Sequence, residues 1–462
     1  MFSYMRQGPA FYREVVVLAI PIVLQNLITN SLGLLDTFMV GMLGELPMAA
    51  VTLANIPIFV ILLLIFGLQS GGSVLIAQFW GKGDADSINR VMGIGVYVAG
   101  SISVCFALVM FFFPQPFMGL FSNNAEIVAL AAEYARIVGF SYIFNSITSV
   151  YIGAHRSMEN PKLGLGILSV SMVSNTFLNW VLIFGKLGAP RLGVVGAAAA
   201  TLISRIIEFA VMLLHARFSR RFRLRLALLL RPGRALLKSY ARFATPVVLN
   251  ETLWGLGSSL YPTIMGYMAE STPILAAYAI SGNIEKVCTV VVFALAGTAS
   301  ILIGREIGAG RKERVYDLGR ALNTLSLLAG LVVGALMVAV TLLAAAPFLY
   351  PLFGLSSRAA EIATMMQIVV FSTLFIRAFN TTNIVGVLRG GGDVRAASVI
   401  DVLPLWAAAL PLAAIAGLVF RLDILWVYLC TVVENLVKFL LGMLRFRSGV
   451  WIHDVTITRA AD

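Results

Sequence analysis

Residues 14–43 read EVVVLAIPIVLQNLITNSLGLLDTFMVGML, and after Glu14 the one charged side chain in that run is Asp36. A helix of about 30 residues covers about 45 Å, more than the roughly 30 Å of bilayer hydrocarbon, so this run is expected to span a membrane. It is too long for a signal peptide, and the start, MFSYMRQGPAFYRE, offers no small-residue cleavage site. An uncleaved first span is the expectation. The whole chain shares this character: 59% of its 462 residues are hydrophobic and 12% charged, where soluble domains carry about 25% charged residues. A water-soluble fold is excluded.

Eleven more apolar runs follow, near 50–79, 90–113, 128–153, 162–185, 193–216, 237–266, 275–304, 321–346, 359–388, 396–419 and 423–444. Forty-one glycines and 16 prolines suit membrane helices, where small residues permit close approach and neighbouring groups satisfy a broken backbone. With both termini in the cytoplasm, only Lys186, Arg191, Arg358 and Arg421 of the 34 Lys and Arg fall outside, and Arg136, Arg205, Lys286, Arg377 and Lys438 fall within spans. The large remainder then lies inside, as the positive-inside rule requires. The richest segment, HARFSRRFRLRLALLLRPGRALLKSYAR at 215–242, joins the two halves, anchors their topology and offers contacts to membrane lipids.

Four matches cross that linker in order. LAIPIVLQNL from Leu18 resembles FATPVVLNET from Phe243, and SVLIAQFWGKGD from Ser73 resembles SILIGREIGAGR from Ser300. GAHRSMEN from Gly153 resembles GVLRGGGD from Gly386, and TLISRIIEF from Thr201 resembles TVVENLVKF from Thr431. The offsets stay between 225 and 233 residues, which defines an internal repeat. The expected fold is therefore an all-α polytopic membrane protein: twelve transmembrane helices in two pseudo-symmetric six-helix bundles around a central cavity. The expected domains are 1–216, a basic linker at 217–236, and 237–462. Six helices per half is an even number, so the halves insert in the same direction, an arrangement typical of secondary transporters.

Ionisable groups inside spans point to function. The acids are Asp36, Glu208, Glu251, Glu285, Asp401 and Glu434. In the first span Gln25, Asn26, Asn30 and Asp36 recur at nearly helical spacing, and in the fifth Asn175 and Asn179 are four apart on one face. Thr201 opens the sixth. A carboxylate, two carboxamides and a hydroxyl supply the hard oxygens a small cation such as Na⁺ needs, and the same carboxylate can instead carry a proton. Arg205 with Glu208, and Glu434 with Lys438, stand three and four residues apart and read as structural charge pairs. Glu285 needs a partner beyond its neighbour Lys286, with Arg377 a candidate. Glu251 has no local basic partner and reads as a possible second acidic site. Pro21 and Pro246 occupy matching places and read as helix hinges.

Several classes find no support. No phosphate-binding G-x-x-x-x-G-K-[ST] loop, no H-E-x-x-H and no nucleophile-base cluster occurs, so neither ATP driving nor an enzyme is expected. Cys105, Cys288 and Cys430 lie in apolar runs without metal-ligand or redox spacing. The net charge of +12 follows from topology and lacks the soluble module that nucleic-acid binding would need. The energy is expected from an ion gradient.

IPIVLQNLITNSLGLLDTFMVGMLGE, SGGSVLIAQFWGKGD, SNTFLNWVLIFG and GVLRGGGD together resemble the multidrug and toxic compound extrusion (MATE) transporters over almost the whole chain. That resemblance implies twelve helices in two lobes and an Na⁺- or H⁺-coupled antiporter that exports mostly organic cations, with no cofactor beyond the coupling ion. It makes Asp36 the cation-site carboxylate, with Asn175, Asn179 and Thr201 beside it, and matches Glu251 to an acid that many members carry. The chain departs from some members in helix ten, where Ala378 in RAFNTTNIVGVLRGGGD stands near the place of an acid. The reading is of a monomer in the plasma (inner) membrane that exports lipophilic organic cations by alternating access, with Pro21 bending helix one. A lipid-linked oligosaccharide flippase of the same superfamily shape is the alternative, and a membrane sensor or scaffold a third class.

Overall fold

The computed structural model describes residues 8–457. Twelve long helices follow in order: α1 Pro9–Gly41, α2 Glu45–Lys82, α3 Ala85–Phe112, α4 Ala125–Ser157, α5 Pro161–Phe184, α6 Gly193–Phe218, α7 Arg234–Gly266, α8 Ser271–Gly308, α9 Lys312–Leu352, α10 Ser357–Leu388, α11 Val394–Val419 and α12 Ile424–Arg447. Ten are each long and apolar enough to cross a bilayer, and α10 qualifies as a pair bent by 52° at Thr373. The twelfth, α7, carries Arg234, Lys238 and Arg242 in its first turns and is less apolar overall. Most helices outrun the apolar stretches that announce them. α2 ends at Lys82 and α9 begins at Lys312, because the backbone keeps its helical hydrogen bonds past the hydrocarbon boundary. Gly83, in the left-handed conformation, ends α2, and polar caps open the helices that follow: the Asp84 carboxylate accepts from the Ser87 amide (3.0 Å) at the start of α3, and Asn124 does the same for Glu126 and Ile127 at α4.

The chain forms two compact units, one of Leu24–Val248 and the other of Met1–Val23 with Leu249–Asp462. Domain boundaries read in chain order miss this exchange, because the first helix of each repeat changes unit part-way along. Pro21 lies just before the change in α1, and Pro246 just before it in α7, with both helices continuing as α through the proline.

In the Leu24–Val248 unit, Ile61 and Ile65 of α2 are buried with Tyr134 and Val138 of α4 and Ala197 of α6. The first half of α7 lies against α2. A Cβ added at Gly67 would meet the Val248 Cα at 2.7 Å, and one at Gly71 would strike the Ala244 backbone. Replacing Gly71 by Leu should therefore destabilise the protein by about 1–3 kcal/mol. Gly100→Leu in α3, where a Cβ meets nothing, should leave thermal unfolding in detergent unchanged.

In the other unit, Val15, Leu18 and Ile22 of α1 pack with Ile301 and Leu302 of α8 and Val387 of α10, and Glu14 pairs with Arg305. Four π-helical stretches, Thr341–Leu349, Thr382–Leu388, Leu405–Ala409 and Ile415–Val419, interrupt α9, α10 and α11. Pro347 lies within the first and Pro404 just before the third, each removing a backbone donor. The first repeat shows no such stretch among its described residues, so the pseudo-symmetry read from sequence does not extend to helix regularity.

Candidate functional site

Asp36 on α1, Asn175 and Asn179 on α5, and Thr201 on α6 meet inside the Leu24–Val248 unit. The Asn179 amide donates to the Asp36 carboxylate and to Asn175 Oδ1 (3.1 Å), and the Asn175 amide donates to Thr201 Oγ1 (3.5 Å). Both asparagines are buried, at 1% and 0% exposure, and Asp36 is half-buried. Tyr134, Tyr142 and Arg205 stand close enough to interact electrostatically with the carboxylate. Asn179 Oδ1 is buried without a hydrogen-bond partner among the described residues. A carboxylate beside an unsatisfied carboxamide oxygen and a hydroxyl suits a small hard cation or a proton held on the carboxylate.

The polar stripe expected along α1 divides. The Gln25 amide donates to the Pro161 carbonyl and its oxygen accepts from Arg156 (2.8 Å), which fixes the α4–α5 corner, while Asn30 is exposed. Only the Asp36 end of the stripe joins the asparagines.

Each of the other five acids singled out from the sequence is ion-paired. Glu208 accepts from Arg205, and Glu285 from Arg377. In the second unit Arg389, 1% exposed, reaches Glu251 (3.0 Å) and Asp401 (3.5 Å). Lys438 reaches Asp401 (2.9 Å) and Glu434 (2.8 Å), and Asn250 donates to Asp401 (3.0 Å). The Glu434–Lys438 pair is thus one edge of a five-charge network. Glu251, read from sequence as unpartnered, is an ion-paired member of it. Asp36 alone among the six acids has no ion pair among the described residues.

Arg389 is the residue that sequence reading missed. Hydropathy placed it in the loop after the tenth span, whereas the helical turn at the end of α10 carries it into the protein. The repeat held the signal: GVLRGGGD aligns Arg389 with Arg156, and FATPVVLNET aligns Asn250 and Glu251 with Gln25 and Asn26. Each arginine holds the first helix of its own repeat, through Gln25 in one and Glu251 in the other. The same offset of 225 sets Tyr261 opposite Asp36, so the second repeat has a phenol, donating to Glu434 (3.3 Å), where the first has a carboxylate.

Two repeated six-helix sets, with a carboxylate that has no ion pair among the described residues inside one of them, fit a multi-pass membrane transporter. Residues 21–181 and 246–415 match the MatE family. The chain is 26% identical over 459 residues to a probable multidrug resistance protein NorM of Thermotoga maritima, with 98% of this chain and 95% of that one covered. It is 28% identical to a NorM of Bradyrhizobium diazoefficiens, covering 94% and 92%. Its fold superposes on a MOP superfamily transporter from Pyrococcus furiosus at a TM-score of 0.84, with 21% identity over 99% of this chain and 98% of that one. The chain belongs to the MATE family of multidrug efflux transporters, whose substrates are small molecules.

Proposed function

We propose that the protein is a secondary antiporter that exports lipophilic organic cations from the cytoplasm across the inner membrane in exchange for Na⁺ or H⁺, acting as a monomer with both termini inside. The observation that carries this reading is that Asp36, alone among the six acids singled out from the sequence, has no ion pair among the described residues. A half-buried carboxylate in a low-dielectric setting strongly favours neutralisation. A small ion or an organic cation can supply it, and the site has one carboxylate to offer. Competition for that carboxylate couples the two fluxes, because each ligand shifts the conformational equilibrium only by its differential affinity for the two states. Pro21 and Pro246 mark the places where α1 and α7 change unit, which suits them to absorb the bending as the halves rearrange. The paired basic residues Arg205, Arg377, Arg389 and Lys438 disfavour an anionic, lipid-linked oligosaccharide as cargo.

Flux of a fluorescent lipophilic cation from proteoliposomes, under separately imposed Na⁺ and H⁺ gradients, tests the reading. Dye flux driven by one gradient is the expected result; none under either would overturn it. Asn179 positions the carboxylate, so Asn179→Ala should retain transport but raise the coupling-ion concentration for half-maximal flux by about tenfold or more, the loss of one hydrogen bond to a charged group. An unchanged half-maximal concentration would remove Asn179 from the ion site.

A further inference from the structure

The segment between α6 and α7 is not a free linker. It is laid along α3 by specific bonds: Asn89 Oδ1 accepts from the Arg225 amide (2.9 Å), Asn89 Nδ2 donates to the Arg223 carbonyl (3.4 Å), and the Tyr97 hydroxyl donates to the Leu230 carbonyl (3.3 Å). Gly93 makes room for the Leu229 carbonyl, which any Cβ there would strike. Phe222 is buried with its ring 5.9 Å from that of His155. Two of its arginines are used inward, Arg225 on Asp86 (2.7 Å) and Arg221 over the Trp80 ring and on the Met158 and Glu159 carbonyls.

What this strap turns outward is unusual for a solvated loop. Phe218, Leu226 and Leu230 are 73%, 65% and 58% exposed. Around them Arg217, Arg220, Arg223, Arg231 and Arg234 are exposed, with no acidic partner among the described residues, and residues 217–242 contain no Asp or Glu. Topology anchoring requires the charges only. It gives no reason to pin the backbone or to seat bare leucines between guanidinium groups. A surface that is apolar at its centre and basic at its rim, at the ends of two spanning helices, matches the boundary between acyl chains and phosphates. Arginine adds planar, two-pronged hydrogen bonding to phosphate oxygens.

We propose that the strap Phe218–Arg234 is a binding site for anionic phospholipid headgroups, its leucines entering the acyl boundary and its free arginines holding the phosphates. The proposal is independent of the coupling ion and of Asp36. Its test is native mass spectrometry of the full chain in mild detergent, titrated with phosphatidylglycerol or phosphatidylcholine. The wild type should bind phosphatidylglycerol at least about tenfold more tightly. The triple variant Arg220→Gln, Arg223→Gln and Arg231→Gln should lose roughly a hundredfold of that affinity, at about a fivefold effect per charge. The corresponding triple Arg→Lys variant should keep most of it, and Leu226→Ser with Leu230→Ser should weaken both lipids. A charge-matched control, Lys312→Gln with Arg314→Gln and Arg447→Gln, should bind as the wild type does. Equal affinity of the wild type for the two lipids would overturn the proposal without any variant. So would undiminished binding by the Gln variant, equal loss in the control, or complete displacement of the lipid by millimolar inorganic phosphate, which would mark a site for free anions.

Discussion

Asp36→Asn should abolish gradient-driven efflux while leaving the fold and its thermal stability close to those of the wild type. The substitution keeps the volume and a carboxamide oxygen, and Asn179 can still hydrogen-bond to that oxygen. It removes the one carboxylate of the six that has no ion pair to an arginine or lysine among the described residues. Without it neither a small ion nor an organic cation gains the electrostatic stabilisation on which exchange depends, and flux should fall to the level of empty liposomes. Robust gradient-driven transport in the variant would take Asp36 out of the mechanism.

The second large effect belongs to stability. Arg389→Ala would leave Glu251 without its cation and Asp401 with Lys438 alone, inside a nearly closed part of the second unit. Removing one partner of a buried charge pair costs about 3–5 kcal/mol, because the remaining charge keeps its desolvation penalty. The protein should unfold at a markedly lower temperature in detergent. Arg389→Met combined with Glu251→Gln should recover much of the loss by removing the orphaned charge with the orphaning one. A single variant as stable as the wild type would show that water reaches the network, and that Glu251 is free to bind an ion after all.

These two residues also show how far the sequence could be read. Asp36, Asn175, Asn179 and Thr201 were legible because polar groups are costly in apolar runs, and because a spacing of four puts both asparagines on one face. That α1, α5 and α6 bring them together is a tertiary fact that no spacing carries. The pairing of Arg205 with Glu208 was local and therefore readable. Glu285 with Arg377 bridges α8 and α10, and only the need of a buried acid for a cation suggested it. Arg389 was hidden by its neighbours: three glycines and an aspartate follow it, so hydropathy marks a loop, although the glycines serve close packing. A Cβ at Gly390 would lie 2.8 Å from the Ser300 Cα. The exchange of the first halves of α1 and α7 between units was equally invisible, since it depends on what each helix packs against rather than on its composition.

The asymmetry between the repeats follows from the same residues. Both place an arginine at the corner after the fourth helix of the repeat, and both direct it to the repeat's first helix. In the first repeat it meets the neutral Gln25, and the acid lies further along at Asp36. In the second it meets Glu251 and neutralises it, and tyrosine takes the place of Asp36. The repeated arrangement thus pairs the acid of the second repeat and leaves Asp36 without an ion pair among the described residues.

The most direct test of that claim is competition at equilibrium. Binding of a fluorescent organic cation to the purified protein would be measured by anisotropy while Na⁺ or H⁺ concentration is raised, in the wild type and in Asp36→Asn. One of the two ions should weaken dye binding to the wild type in proportion to its occupancy, and the variant should bind dye more weakly and without regard to either ion. Displacement of equal strength in both proteins, or dye and ion bound together without mutual effect, would contradict it.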